Sequence, residues 1–496
     1  MDQNIAGAIE TNLIINGNWQ PPESGGRYDV HNPARPDEIV GHAARAGAAD
    51  VDAAVNAAHG AHPAWAALSY QERADYLRAV AKNLVADEPE LKARIRLFTR
   101  EHGKILKESG IEMTRLGDRF ELVASYADRL AHDDELPAPP LETIITRQPF
   151  GVALLIVPWN WPLSILGAKL PQALMAGNTV VIKIANESPL APALAIQKMA
   201  EVLPKGVINL ITGKSSEIGD AMLTHPLVRR INFTGSISAG RHVMAKASEG
   251  LKPVTLELGG NDPAIVLEDA DLDDGAFQRM VMGTFMTAGQ ICMALKRLYV
   301  HRSRYGEVVE RFTAFAGKAV VGDGLDPEVT MGPVNNKAQF DIVAGMIDEA
   351  KARGATVNPV GTVKDQAVFK RGHFHRPTIV TDAEPDLLVV REEQFGPVLP
   401  IMPFDSDAEA VALANDSDYG LCSSVWSADR DRAVGIARQL EAGYTYLNGH
   451  GPLAQDSRGP FGGFKNSGIG RNLGYEGIIE FQQYHSISGP PGFLGL

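Results

Sequence analysis

Val152-Ala153-Leu154-Leu155-Ile156-Val157, leading into Pro158-Trp159-Asn160-Trp161-Pro162, is the stretch whose reading decides the fold. Apolar, β-branched runs of the same kind return at 179–182, 207–212, 230–233 and 253–258, with starts 23 to 28 residues apart. Helix-like segments such as 191–200 and 238–247 lie between them. Repeated β-α-β units at that spacing predict an α/β fold with a parallel, doubly wound sheet. The whole of 151–182 is apolar enough to invite a membrane reading, but Pro158, Asn160, Pro162, Lys169 and Pro171 interrupt it, so it reads as buried core.

Upstream, residues 50–103 carry a helical pattern. Ser69-Tyr70-Gln71-Glu72 has capping-box spacing ahead of Leu77, Val80 and Leu84, which recur on one face. Downstream, a second alternation of helices and strands runs from 263 to 447, with strands expected at 297–300, 420–425 and 444–447, so we expect a second doubly wound α/β domain. Residues 133–148, rich in proline and acid and ending in Ile144, Ile145 and Thr146, read as an excursion that pairs with another chain. The Gly/Pro-rich apolar tail 489–496 reads as docked.

A chain of 496 residues is long enough for two to four domains, which excludes a single small binding module. With 45% hydrophobic and 22% charged residues it has ample core material. The 47 basic against 60 acidic residues, net −13, set up a field that repels phosphate backbones and anionic membranes, so neither nucleic acid nor membrane is expected as a partner. Two cysteines, Cys292 and Cys422, suit a reducing compartment, and either would matter as a thiol. Met1-Asp2-Gln3-Asn4 has neither the basic start nor the apolar core of a targeting signal, and a cytoplasmic location is the expectation.

Two phosphate-binding motifs fail inspection. Gly213-Lys214-Ser215 would need glycine at 208, where Ile208 sits in an expected strand, and Gly468-Ile469-Gly470 follows no expected strand. The informative segment is Gly289-Gln290-Ile291-Cys292, a loop whose backbone amides would lower a thiol pKa. Cys422, in an alternating apolar run, reads as a small core residue. Glu257-Leu258-Gly259-Gly260 puts a carboxylate at the carboxyl end of a parallel strand, where doubly wound sheets bind ligands. Asn160 sits beyond another strand end. A thiol, a carboxylate and an amide are the parts of covalent acyl chemistry, water activation and oxyanion stabilisation.

With these residues in view, the sequence resembles the aldehyde dehydrogenase superfamily over essentially its whole length. Further matches are Leu13-Ile14-Ile15-Asn16-Gly17, Phe233-Thr234-Gly235-Ser236, Glu392-Glu393-Gln394-Phe395-Gly396-Pro397 and Pro460-Phe461-Gly462-Gly463-Phe464-Lys465. The resemblance implies a nucleotide-binding domain at 1–127 and 149–259, a catalytic domain at 260–470, and a small β oligomerisation element at 128–148 and 475–496, with assembly as a homodimer or homotetramer. It implies oxidation of an aldehyde to the acid with NAD or NADP, without a metal. Cys292 is then the nucleophile, Glu257 the base for water and Asn160 an oxyanion donor, with Lys169 in the same catalytic set. Cofactor positions carried over are Val157, Pro158, Trp159, Lys183, Ala185, Asn186, Gly213, Phe233, Gly235, Ser236, Leu258, Glu393 and Phe395. Pocket positions are Arg115, Trp161, Ser164, Ile165, Ala168, Met286, Ile291, Met293 and Phe461, an apolar set that suits a medium or bulky apolar or aromatic aldehyde. Arg115 keeps a carboxylate-bearing semialdehyde in play.

Two departures stand out. Where the family pattern runs Lys-Pro-Ser-Glu, this chain has Lys183-Ile184-Ala185-Asn186, and loss of that glutamate removes a charge that repels a 2′-phosphate, so NADP should be tolerated. Asn472 stands where many relatives have glutamate, leaving deacylation to Glu257. The competing classes are a redox-free acyltransferase or esterase, a non-catalytic binding protein and a coenzyme A-acylating enzyme.

Overall fold

The five apolar runs are the strands Val152–Ile156, Thr179–Lys183, Ile208–Ile211, Val228–Thr234 and Val254–Glu257 of a computed structural model, which describes residues 8–137 and 140–496. Met1 to Asn4 lie outside the described residues. The five strands pair in parallel in the spatial order 254–257, 228–234, 152–156, 179–183, 208–211. From Val152–Ile156 the chain winds outward to one side, then crosses back to Val228–Thr234 and winds to the other. Beyond the carboxyl ends at that reversal lies the ligand crevice of a doubly wound sheet.

Both edges of this sheet are closed by antiparallel additions. A hairpin of Leu13–Ile15 and Asn18–Gln20 adds beside Ile208–Ile211. Its two-residue turn holds Asn16 and Gly17 at φ 52° and 76°, the left-handed pair such a tight turn demands. At the other edge, Gly468–Ile469 pairs with Leu256 and Glu257. A Cβ on Gly468 would lie 2.2 Å from the Leu256 carbonyl oxygen, so this glycine serves close backbone approach rather than a nucleotide fingerprint.

The second sheet has the order 356–359, 378–381, 398–404, 295–301, 262–266, 422–426, 444–447, parallel except at its first pair. It contains all three strands expected in this region. Among the helices, Ser69 caps Tyr70–Leu84 as its spacing predicted: Ser69 Oγ accepts from the Glu72 amide, and the Glu72 carboxylate accepts from the Ser69 amide at 2.7 Å. Leu77, Val80 and Leu84 are buried beneath it.

The excursion at 133–148 folds as Asp134–Leu136 and Glu142–Pro149, and its partner in this structure is the chain's own strand Gln482–Gly489, antiparallel throughout. Pairing between segments more than 300 residues apart leaves no local signature. The tail is docked as expected: the Gly492 and Leu494 amides donate to the Glu142 carboxylate at 2.6 and 2.8 Å, which holds that carboxyl below its usual range. Glu142→Ala should therefore release the tail, seen as faster carboxypeptidase trimming of the carboxyl end. Equal protection in wild type and variant would show that the tail is held without these two bonds.

Candidate active site

Three chain segments converge at the reversal of the first sheet. Glu257 ends Val254–Glu257, Asn160 lies four residues beyond Val152–Ile156, and Cys292 follows the turn Met286–Gly289. That turn is unusual: Thr287, Ala288 and Gly289 have φ of 54°, 54° and 75° in succession. Such backbone persists only where the surroundings over-determine it. Here the Thr287 amide donates to the Glu108 carboxylate at 2.7 Å, Trp161 Nε1 donates to Thr287 Oγ1 at 3.1 Å, and a Cβ on Gly289 would lie 2.3 Å from the Gly396 carbonyl oxygen.

The loop bearing Asn160 is fixed from behind. Lys104, fully buried, donates from Nζ to the Asn160 carbonyl at 2.9 Å and to the Glu112 carboxylate at 2.5 Å. The other Glu112 oxygen accepts from the Leu163 and Ser164 amides at 2.7 and 3.0 Å. The Asn160 side-chain Nδ2 gives one hydrogen to the Gln290 carbonyl at 2.9 Å. An amide nitrogen carries two, so the second remains for a ligand oxygen.

The Cys292 thiol lies 3.9 Å from Glu257 Oε1. Burial first, and then the Glu257 charge, push this thiol up, with Lys296 opposing. The expected lowering of this thiol by loop amides is not what its surroundings give: desolvation and the nearby carboxylates push it the other way. Burial also pushes the Glu257 carboxyl up toward neutrality, while Lys169 pulls it back. Lys169, wholly buried, is pushed down by burial and held up by Glu257. Its ammonium donates to Asn232 Oδ1, and Asn232 Nδ2 donates to Asn472 Oδ1 at 2.8 Å, so Asn472 terminates an amide chain where an acid would have supplied charge. Thr234 Oγ1 donates to Glu257 Oε2 at 3.3 Å.

These groups form the floor of a cavity of about 350 Å³. Asn160, Lys169, Glu257 and Cys292 line it, with Trp161, Ser164, Ile165, Ala168, Ile291, Met293 and Phe461 as walls and Arg115, exposed on the helix Leu106–Ala124, at the rim. Met286, expected in the pocket, packs in the apolar cluster behind it and does not line the cavity. Cys422 is buried core, as read.

The positions expected to meet the cofactor, apart from Glu393 and Phe395, lie at or just beyond the carboxyl ends of the same strands. Lys183 ends its strand, its amine pushed down to about 8 by burial, and leads to Ala185 and Asn186, whose buried Oδ1 has no partner. Ser236 caps Ile237–Ser248, so a helix amino terminus faces the switch point, as a pyrophosphate requires. Gly235 has no room for a side chain, since a Cβ would meet the Phe233 ring at 2.5 Å. Leu258 is tied by its amide to the Ser467 carbonyl, Val157 by its amide to the Lys183 carbonyl, and Gly213 takes φ 142° beside Ala46. Pro158 and Trp159 follow, with Trp159 edge-on to Phe395 at 5.5 Å. Glu393 accepts from the Gly260 amide at 3.1 Å and sits 3.4 Å from Lys296 Nζ, and a Cβ on Gly259 would fall 2.3 Å from Glu393. An unpartnered acceptor at Asn186 and a helix amino terminus at the switch point fit a nicotinamide dinucleotide.

Sequence reasoning missed Lys104, Glu108, Glu112, Thr234, Asn232 and Lys296. The one available signal was Glu108 and Glu112, two acids one turn apart on the inward face of an otherwise apolar helix stripe.

Comparison with known proteins agrees with this geometry. A profile described as the aldehyde dehydrogenase family matches residues 19–487. The chain belongs to the aldehyde dehydrogenase family. It is 37% identical to the chloroplastic betaine aldehyde dehydrogenase of Beta vulgaris over 96% of this chain and 95% of that protein. It is 35% identical to the NADP-dependent succinate-semialdehyde dehydrogenase of Escherichia coli K12, covering 97% and 98%. The crystal structure of Staphylococcus aureus betaine aldehyde dehydrogenase in complex with NAD+ superposes with a TM-score of 0.90 at 33% identity, covering 97% of this chain and 95% of that one. The protein is an NAD(P)-dependent aldehyde dehydrogenase. Among the described residues there is no His/Cys/Asp/Glu cluster suited to a metal ion, and no helix long and apolar enough to cross a membrane.

In this aldehyde dehydrogenase the upward shift of Glu257 means that its base form grows as pH rises through the region near neutrality. Turnover at saturating substrates should climb with pH there, well above the ordinary carboxylate range of about 4. Glu257→Gln should remove that limb; a limb that survives the substitution assigns it to another group.

Proposed function

We propose that the enzyme oxidises an aldehyde to the free carboxylic acid through a covalent adduct on Cys292. The observation that carries this is the Cys292 thiol 3.9 Å from a carboxylate of raised pKa, with the spare Asn160 N–H on the same cavity floor. The sulfur adds to the aldehyde carbon, its proton passes to Glu257, and the carbonyl oxygen becomes an oxyanion held by Asn160 Nδ2 and the Cys292 amide. Bound NAD+ or NADP+ supplies the acceptor for the hydride that leaves that carbon. Glu257, once it has released its proton, takes one from water; the water oxygen attacks the thioester carbon, the C–S bond breaks, and the acid leaves as the thiol is restored. Glu257 beside the sulfur favours hydrolysis over transfer to coenzyme A.

Lys183, Asn186, Ser236, Glu393 and Phe395 are the residues we assign to the cofactor, with 1–127 and 149–259 as its domain, 260–470 as the catalytic domain, and 128–148 with 475–496 as the oligomerisation element. The apolar walls and small Ala168 favour a medium or bulky apolar or aromatic body on the substrate. A carboxylate-bearing semialdehyde is the second reading, favoured by Arg115 at the rim and by the succinate-semialdehyde relative. The two thiols, neither in a disulfide, suit a cytoplasmic setting.

The test is reduced-nicotinamide formation over aliphatic, aromatic and carboxylate-bearing aldehydes with each cofactor. Signal in wild type and none in Cys292→Ala is expected; turnover retained by Cys292→Ala would refute the nucleophile. Asn186→Glu should lower kcat/KM for NADP at least about tenfold more than for NAD, because it returns a negative charge to the 2′-phosphate. An unchanged cofactor ratio would refute the role of Asn186. Leu136, Tyr484, Ile487 and Phe493 are exposed on the arm, which suits self-association. Light scattering should report a dimer or tetramer that Tyr484→Asp with Ile487→Asp shifts toward monomer; a monomeric wild type would overturn this.

A further inference from the structure

Outward from the catalytic floor, the cavity changes character. Ile111, Arg115, Leu116, Arg119 and Leu122 line it from one face of the helix Leu106–Ala124, placing two guanidinium groups one turn apart. Among the described residues neither arginine has an ion pair or hydrogen bond. Like charges at that spacing repel, and Asp118 on the same helix offsets that repulsion at Arg119, so what is left unmet there is desolvation of the guanidinium. Arg119 is the deeper of the two. Its stem lies on Gly167, where a Cβ would come within 3.0 Å of Arg119 Cγ, so the glycine makes room for it. Its Nη1 is buried with no acceptor. Gln455, from a separate segment that lines the same cavity, likewise has its Nε2 buried with no acceptor. Burying N–H groups without partners is costly, and both side chains line the chamber that holds Cys292.

We propose that Arg119 and Gln455 form a carboxylate subsite, so that the preferred substrate is an aldehyde carrying a carboxylate at its far end. This inference rests on the Cys292 chemistry proposed above. Two unfilled donors lining one chamber match the two oxygens of one carboxylate, and Arg115 adds long-range attraction from the rim. Asp118, on the same helix and also lining the cavity, leaves the charge of the three at +1, against −13 for the chain. The apolar walls between floor and subsite take the intervening carbons. A cationic aldehyde would meet two unpaired guanidinium groups and be disfavoured.

The test compares kcat/KM for ω-oxo carboxylic acids of increasing length with that for their methyl esters, in wild type, Arg119→Met, Arg119→Lys and Gln455→Leu. Wild type should prefer the acid to its ester by at least tenfold at one optimal length. Arg119→Met should collapse that ratio, chiefly through KM; Arg119→Lys should recover part of it, and Gln455→Leu should lower it. A wild-type enzyme that takes esters as well as acids, or a ratio unchanged in Arg119→Met, overturns the subsite while leaving aldehyde oxidation standing. Absence of oxidation with acids, esters and plain aldehydes alike would instead overturn the Cys292 chemistry. If Arg119→Met fails to fold, competitive inhibition of wild type by saturated dicarboxylates decides: inhibition at least tenfold stronger than by their monomethyl esters supports the subsite, and equal inhibition refutes it.

Discussion

The buried contact between Lys104 and Glu112 is the constraint on which the rest of the site depends. Both groups are fully desolvated, so neither is tolerable alone; removing one partner of such a pair costs about 3–5 kcal/mol. Each also has a second duty. Lys104 holds the Asn160 carbonyl, and Glu112 holds the amides that begin Pro162–Gly167. One turn earlier on the same helix, Glu108 holds the amide of Thr287 and so the left-handed turn that leads to Cys292. Two carboxylates on one helix thus set the register of the Asn160 loop, the cavity wall and the turn before Cys292. The pair's value lies in placement, since an apolar replacement of the same shape could be as stable.

Charge within the catalytic floor is arranged on the same economical lines. Glu257 and Lys169 are both buried, and each moderates what burial does to the other. With Asn472 at the end of the Lys169–Asn232 chain, no third ionised group enters that chain. The Cys292 thiol is pushed up by its surroundings as well, through burial and the Glu257 charge, so its thiolate is disfavoured in this floor.

What could be read from the sequence follows the range of the interactions concerned. The parallel strands were legible because burial of Val152–Ile156 and its neighbours is written in consecutive residues, and the Ser69 cap because its partner is three residues away. The hairpin at 13–20 is equally local, written in Asn16-Gly17 between apolar runs. The pairing of Glu142–Pro149 with Gln482–Gly489 was not legible, because nothing local encodes a register across the length of the chain. At the site, residue identities carried far but surroundings did not. Loop amides around Cys292 suggested a lowered thiol, whereas three-dimensional burial beside Glu257 reverses the sign. Met286 has a pocket-like position in the chain, yet its side chain turns into the cluster behind the cavity wall. Arg119 looks like any helix-face arginine until Gly167, more than 40 residues away, is seen beneath its stem.

The ribbon 461–489 joins features that were met separately. It pairs Phe461 with Asn472, lays Gly468–Ile469 on the edge of the Glu257 strand, places Asn472 against Asn232, buries Phe481 in the first core and runs straight into the arm. In time rather than in space, this late segment is the last of the described floor to emerge from the ribosome. Domains fold as they appear, amino-terminal first, so the two sheets can be standing while the edge of the Glu257 strand is still bare. The centre is completed only once this stretch, which also carries the arm strand, has emerged. Completion of the cavity floor and pairing of the arm strand therefore arrive together.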